Sequence, residues 1–337
     1  MRFARFFGIL CATAILLGFS SCNRTTLHTS RTYAMGTYCA LTEDLPVGED
    51  GDLSPLFLSL LNETEALLSH KLDGSFPDLL NSLGYAVIPN GDTRLLAELQ
   101  LAEEIKERTD GLFSLSVLPL TSLWNFEGDD RQPPAADLLA AALAETEGSA
   151  LSFDGATVTK TGGGIDLGAI GKGYACDVIA AELYMKNKSA LVSVGGSIAA
   201  VGQKSTGAWQ IGVRDPFSPS ENATLGTLSL VDSFVSTSGS YEKTFVHGGK
   251  TYHHILDPHT GMPRESDLVS VTVVAGKGTM TDMLSTACFL VGSDAAFSLA
   301  AEYGAALIAV KTDGTLLVST SLKDIFTPKA GWEAVYR

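Results

Sequence analysis

The stretch with the most chemistry in it is Gly162-Gly163-Gly164-Ile165-Asp166-Leu167-Gly168-Ala169-Ile170-Gly171-Lys172-Gly173, which runs into a helical pattern. A glycine-rich turn at a helix start presents free N–H groups and the positive end of the helix dipole, a setting that suits phosphate. Two familiar phosphate loops are excluded. A P-loop needs Gly five residues before the Gly-Lys pair, where Asp166 stands, and Ser or Thr after the Lys, where Gly173 stands. The dinucleotide-fold glycine spacing is absent as well. The glycines alone fit a structural turn as well as a ligand loop; Lys172 inside the turn tilts the reading toward phosphate. A second group, Thr281-Asp282-Met283-Leu284-Ser285-Thr286, puts Asp282 and Thr286 four apart and so on one helix face. Their carboxylate and hydroxyl oxygens, joined by carbonyl and phosphate oxygens, would suit a hard cation such as Mg²⁺. The competing reading is that Thr281 or Asp282 caps the helix.

Three histidines fall within seven residues in His253-His254-Ile255-Leu256-Asp257-Pro258-His259-Thr260-Gly261-Met262-Pro263. On a strand His253 and His254 point to opposite faces, and no thiolate is near, so zinc is set aside. The run Ser236-Thr237-Ser238-Gly239-Ser240-Tyr241-Glu242 is a strand end turning into a polar loop. It lacks the Gly-x-Ser-x-Gly elbow of a serine nucleophile.

Elements to hold these groups are legible in part. Ser54-Pro55 opens a helix to about Leu68, and Asp92 or Thr93 caps a longer one that stops at Asp110-Gly111. An alanine-rich helix follows near residues 135–144. Thr32 to Thr42 alternates as a strand. From Leu151 the texture shifts to short strands and glycine turns: 151–153, 156–159, 190–194, 198–201, 209–213, 226–230, 234–237, 251–256, 268–274, 306–311 and 316–319. Helices are expected over 171–185, 281–290 and 294–303. Strands without regular βαβ repetition predict an α+β fold: one unit of mixed and antiparallel sheets packed by helices, with a helical lobe at residues 43–150.

Of the 337 residues 45% are hydrophobic, enough for a large core, and the formal net charge is −15. Without a basic cluster nucleic acid is excluded as a partner. Arg2 and Arg5 precede an apolar run, Phe6 to Phe19, too short to span a membrane. Phe19-Ser20-Ser21-Cys22 then resembles a bacterial lipobox, with Phe in the usual Leu position. The expectation is a signal peptide over 1–21, a lipidated tether over 22–31 and a catalytic unit over 32–337. The protein would be exported and held by lipid on Cys22 at the periplasmic face of the inner membrane. A plain secretory signal is the alternative. Cys39, Cys176 and Cys288 read as buried thiols.

In their order along the chain these pieces resemble the ApbE family, the FAD:protein FMN transferases. The segments that carry the likeness are Met35-Gly36-Thr37, Asp110-Gly111-Leu112-Phe113, Pro119-Leu120 through Leu123-Trp124-Asn125-Phe126, Ile165 through Asp177 and Val194-Gly195-Gly196. They continue with Thr237-Ser238-Gly239 and Tyr241-Glu242, His254-Ile255-Leu256-Asp257-Pro258 with Thr260-Gly261 and Pro263, and Thr281-Asp282 through Thr286. The resemblance implies that Asp282, Thr286 and the Ala169 carbonyl hold Mg²⁺ against the pyrophosphate of FAD, with Lys172 facing the phosphates. Met35 would pack on a flavin or adenine ring, Asn81 and Glu242 would contact the cofactor, and His254 would approach the phosphate or the incoming hydroxyl. Core packing for Met35 and capping for Asn81 are the competing roles.

Three serines depart from the family pattern. Ser114 and Ser240 stand where Asp is usual, and Ser197 where Asp or Asn often follows the two glycines. The implied reaction is Mg²⁺-dependent transfer of FMN to a Thr or Ser hydroxyl of a partner protein with release of AMP, the base being His254 or Asp257. Hydrolysis of FAD to FMN and AMP is the alternative outcome. A non-catalytic periplasmic flavin-binding lipoprotein and a purely structural envelope lipoprotein are the readings from other classes.

Overall fold

The computed structural model describes residues 25–47, 52–129, 131–220 and 222–337. The leader and Cys22, which carry the expectation of export and lipid anchoring, lie outside the described residues. No described helix is long and apolar enough to cross a membrane.

The first two strands, β1 (Thr25–Ala34) and β2 (Thr37–Pro46), pair in unbroken antiparallel register from Thr25↔Pro46 to Ala34↔Thr37. This corrects two expectations. Residues 25–31 belong to a strand rather than a tether, because their backbone groups are satisfied against 40–46 of β2. The expected strand over 32–42 is two strands, because Met35 (φ 52°) and Gly36 (φ 68°) both take the left-handed conformation that a two-residue hairpin turn requires.

The helical lobe follows with α1 (Ser54–Leu68), α2 (Phe76–Leu83), β3 (Tyr85–Val87), α3 (Thr93–Arg108), α4 (Leu118–Trp124) and α5 (Ala136–Thr146). Helix α2 goes beyond the sequence reading. Its signals are an N-capping Ser75 that accepts from the Asp78 N–H at 3.2 Å, Pro77 in the first turn and a left-handed Gly84 at its end. Asp92 caps α3 by accepting from the N–H groups of Arg94 and Leu95, and the helix buries Leu95, Leu99, Ala102 and Ile105. The strands β4 (Ala150–Asp154) and β5 (Thr157–Thr161) join β3 in a small sheet of order β3-β5-β4.

The remainder is the body of the molecule: α6 (Gly171–Met185), β6 (Ala190–Val194), β7 (Ser197–Val201), β8 (Trp209–Arg214), β9 (Thr224–Leu230), β10 (Ser233–Gly239), β11 (Thr244–His247), β12 (Lys250–His253) and β13 (Leu268–Ala275). It closes with α7 (Gly278–Val291), α8 (Ser293–Glu302), β14 (Ala306–Lys311), β15 (Leu316–Val318), β16 (Phe326–Pro328) and β17 (Ala334–Tyr336). Nine strands form the main sheet in the order β1-β2-β6-β7-β10-β13-β14-β15-β17, antiparallel until the final parallel β15–β17 pair. Strand alternation gives it two apolar faces. On one, Val271 and Val273 of β13 join a core with Met283, Leu284 and Cys288 of α7 and with α3 of the lobe. On the other, Val235, Val274 and Ile308 pack against Trp209 and Leu228 of the β16-β9-β8 sheet. The α+β architecture is the one that the order of elements implies.

Candidate active site

Helices α6 and α7 cross where neither carries a side chain. A Cβ on Gly173 would lie 2.2 Å from the Gly278 carbonyl oxygen and 2.8 Å from Asp282 Cβ; one on Gly278 would lie 2.4 Å from the Gly173 oxygen. Only glycines permit backbones this close. The closeness allows each helix to supply a carboxylate to the start of the other. The Gly173 N–H donates to Asp282 Oδ2 at 2.9 Å. In return Asp177 accepts from the Gly278 N–H at 2.7 Å, the Thr279 N–H at 2.8 Å and the Thr279 hydroxyl at 2.6 Å. Each anion meets the positive end of a helix dipole. Since α7 begins at Gly278, Asp282 sits in its second turn and the capping role belongs to Asp177.

Diverting the Gly173 N–H has a second effect. In a regular helix it would bond the carbonyl four residues back, that of Ala169; here the Ala169 carbonyl accepts from no donor among the described residues. The Ala169 carbonyl is thus left without that donor, and the N–H goes instead to Asp282, which is 5% exposed. Lys172 Nζ lies 3.4 Å from Asp282 Oδ1 and donates to the Gly168 carbonyl at 3.1 Å. Thr286, one turn beyond Asp282, has its hydroxyl 3.1 Å from that of Ser238.

A buried layer of hydroxyls supports this group. Ser197 donates to Asp282 Oδ1 at 3.2 Å and is itself 3.0 Å from Ser236, which lies 2.8 Å from Thr281. Ser238 lies 2.8 Å from Ser285. Ser236 and Ser238, two apart on β10, turn one polar face toward α7. In the sequence this run reads only as a strand end turning into a polar loop; the Ser-x-Ser spacing could have pointed to the shared face. Ser197, which departs from the family's Asp or Asn, still reaches the carboxylate as a donor. Asp177 gave no local signal, since its partners lie 101 and 102 residues away.

Met35 is held at the hairpin turn by its N–H, which donates to Glu65 Oε2 at 3.0 Å. Its methyl lies over the start of α6, 3.7 Å from where a Cβ on Gly171 would be. Asn81 bridges α2 and the glycine-rich loop. Its amide meets the backbone of Ile165, donating to the carbonyl at 3.0 Å and accepting from the N–H at 2.7 Å. It does not cap its helix, and its second amide N–H has no partner among the described residues.

His254 Nδ1 is 3.1 Å from the Glu242 carbonyl. A carbonyl only accepts, so the neutral ring carries its proton on Nδ1 and leaves the Nε2 lone pair free. Burial, with Lys243 nearby, pushes the His254 pKa down to about 4. The Glu242 carboxyl faces Arg214 at 3.9 Å, and burial raises its pKa. Asp257 is differently engaged: Oδ2 accepts from Arg264 at 2.7 Å and Oδ1 from the His259 N–H at 2.9 Å. Each Asp257 oxygen thus has one partner in the turn, whereas His254 Nε2 has none among the described residues. Ser240 donates to the Val269 carbonyl and Ser114 accepts from the Ser116 N–H.

Among the described residues no three His, Cys, Asp or Glu side chains converge. A cation here would be held by a mixed oxygen set of carboxylate, hydroxyl and carbonyl. The three described cysteines are buried, and burial pushes the Cys39 thiol up to about 11 and Cys288 up to about 12. Such thiols are inert at neutral pH.

The profile described as "ApbE family" matches residues 35–309. A FAD:protein FMN transferase of Treponema pallidum is 32% identical over 313 residues, covering 86% of each chain. One from Klebsiella pneumoniae is 31% identical over 291 residues, covering 81% of this chain and 88% of that one. Among solved structures, the flavin transferase ApbE from Vibrio cholerae superimposes with a TM-score of 0.76 at 26% identity, over 90% of this chain and 100% of that one. The ApbE protein from Thermotoga maritima gives 0.76 at 28% identity, over 89% and 99%.

Proposed function

The chain belongs to the ApbE family, and on that premise we propose that it is a FAD:protein FMN transferase: it breaks the FAD pyrophosphate and leaves FMN on a Thr or Ser of a partner protein. The observation that carries the reading is the α6–α7 crossing, where Asp282 meets Lys172, the Ala169 carbonyl at the start of α6 is unpaired among the described residues, and Thr286 follows one turn along α7. That donor set fits Mg²⁺, a hard cation that prefers oxygen and few protein ligands. These three residues would hold the ion, and when bound it supplies counter-charge to phosphate oxygens.

The chain's own groups do the rest. Lys172 and the glycine-rich turn neutralise and orient the pyrophosphate. Met35 gives a polarizable apolar surface at the start of α6 for a flavin or adenine ring. Glu242 positions His254 through its carbonyl and presents its carboxyl, beside Arg214, toward the nucleotide. The acceptor hydroxyl oxygen forms a bond to the FMN-side phosphorus while the phosphorus–oxygen bond to AMP breaks. AMP departs with the bridging oxygen, and the hydroxyl proton passes to His254 Nε2. Water in place of the hydroxyl gives FMN and AMP from the same site. The acceptor would be an exported or membrane protein, since Arg2, Arg5, Phe6 to Phe19 and the lipobox-like Phe19-Ser20-Ser21-Cys22 support export and lipid anchoring of this chain.

The test is Asp282→Ala, incubated with FAD, Mg²⁺ and a Thr-containing acceptor peptide. AMP release and the FMN mass added to the peptide should both fall by at least about 100-fold, as should wild type in EDTA. Undiminished Mg²⁺-dependent AMP release by the variant would overturn the assignment.

A further inference from the structure

The segment 250–257 has one side that is half covered. In the hairpin of β11 and β12, Gly248 and Gly249 form a two-residue turn, so the flanking pair His247↔Lys250 exchanges ladder bonds. Alternation then turns the N–H and C=O of Thr251 and His253 away from β11. Further along the same side the positions are filled by the chain itself: the Arg264 N–H donates to the Ile255 carbonyl at 2.9 Å and the Asp257 N–H to the Met262 carbonyl at 2.8 Å.

This short ladder stops at a wedge. The His253 imidazole stands between the two segments, with Nδ1 accepting from the Ile255 N–H at 3.3 Å and Nε2 meeting the Arg264 carbonyl at 3.2 Å. It replaces the ladder bond that Ile255 and Arg264 would otherwise complete. Beyond it the strands splay around a groove of about 580 Å³, with Thr251 and His253 on one wall, Arg264 and Glu265 on the other and Phe289 among its apolar lining. Arg264 Nε in that wall is buried without a hydrogen-bond partner. Charges of both signs meet at its edge, Lys250 Nζ lying 3.3 Å from Glu265. An extended backbone suits such a groove better than an anion does.

We propose that the open side of β12 receives an extended segment of the acceptor protein as an added strand, collinear with residues 262–264. This rests on the transferase reading and names how that reaction finds its protein substrate. Backbone pairing gives affinity for any extended chain and leaves its side chains free to select. An added strand ends at the wedge, beside the peptide link to His254. Successive side chains alternate between the faces, so one of the last guest residues projects to the face where His254 Nε2 is free.

The test uses the full chain with FAD, Mg²⁺ and a soluble peptide library carrying one central Thr with randomised flanks. Thr251→Pro removes an outward N–H and no β11 ladder bond. FMN transfer to peptide should drop roughly tenfold, the size of one net backbone hydrogen bond, while AMP release by water stays at the wild-type rate. Thr251→Val keeps the N–H and should transfer like wild type. Hydrogen exchange at the Thr251 and His253 amides of the wild type should slow when peptide is added. Full transfer by Thr251→Pro, or transfer by wild type with both amides unprotected, overturns the groove and leaves the transferase reading standing. Protected amides with no FMN on the peptide overturn the transferase reading, and with it the acceptor as the source of the added strand. Protection that rises with enzyme concentration and without peptide would assign the edge to a second copy and overturn the proposal.

Discussion

Asp177 touches nothing that reacts, yet its removal should be felt at the reaction. Its carboxylate accepts three hydrogen bonds from Gly278 and Thr279 at 2.6–2.8 Å. Asp177→Ala loses a helix cap, about 1 kcal/mol, together with about 0.5 kcal/mol of charge–dipole attraction. A second N–H and a hydroxyl are left to find water at a half-buried site, which adds about 1 kcal/mol. The sum, about 2–3 kcal/mol, should lower Tm by roughly 3–5 °C in a calorimetric scan of a chain this long. Asp177→Asn keeps one acceptor and should lose about half as much. The functional arm is a Mg²⁺ titration of AMP release. Freed from its cap, the start of α7 shifts relative to α6, so Asp282 and Thr286 lose register with the Ala169 carbonyl. The Mg²⁺ needed for half-maximal rate should rise by about tenfold or more, with a smaller change in the rate at saturation. A purely structural role would lower Tm and leave the Mg²⁺ requirement in place; that result, or an unchanged Tm in the Ala variant, would refute the reasoning.

Two further variants probe neighbouring parts. His254→Asn should lower both transfer and AMP release by about 10²–10⁴. The His254 pKa is pushed to about 4 from an ordinary 6.5, so between those values the unfolded chain binds a proton that the folded one does not. Stability therefore falls as pH drops from about 6.5 to 4, and the Asn variant should be spared about 2–3 kcal/mol of that fall in urea titrations at pH 7 and pH 4. Gly173→Ala gains about 1 kcal/mol of helix propensity but sets its methyl 2.2 Å from a backbone oxygen. Overpacking against backbone should win by about 1–2 kcal/mol, read as a lower denaturant midpoint; an unshifted or raised midpoint would show that the crossing is looser than described.

How much the sequence discloses depends on how far apart the interacting parts lie. Helix α6 is bounded as the pattern implies, Gly171 to Met185, because glycine loop, apolar spacing and the end of the run are local signals. Met35 was misplaced within a strand because methionine is uncommon in a left-handed turn, and the alternation of 32–42 survives a hairpin whose two strands share a face pattern. Asn81 was readable as polar and loop-adjacent, but the group it holds, Ile165, is 84 residues away. Asp282 and Thr286 were legible through their spacing of four; that Asp282 is not a cap required knowing that α7 starts at Gly278. The roles of Asp257 and His254 were interchangeable on paper and separate only through Arg264 and the His259 N–H, which each take one oxygen of the former, and the Glu242 carbonyl, which takes a single nitrogen of the latter.

The exchange of carboxylates between α6 and α7 also bears on how the protein comes to exist. Its two bonds link residues 109 and 101 apart in the chain. Closing a loop of that length costs on the order of 4 kcal/mol of chain entropy, but the second bond spans nearly the same loop and closes almost free once the first has formed. Neither helix start is therefore satisfied before the other, and both belong to a late, long-range step of folding. A nascent chain has no site until α7 emerges and docks, so the machinery that splits a nucleotide arrives all at once with the finished fold.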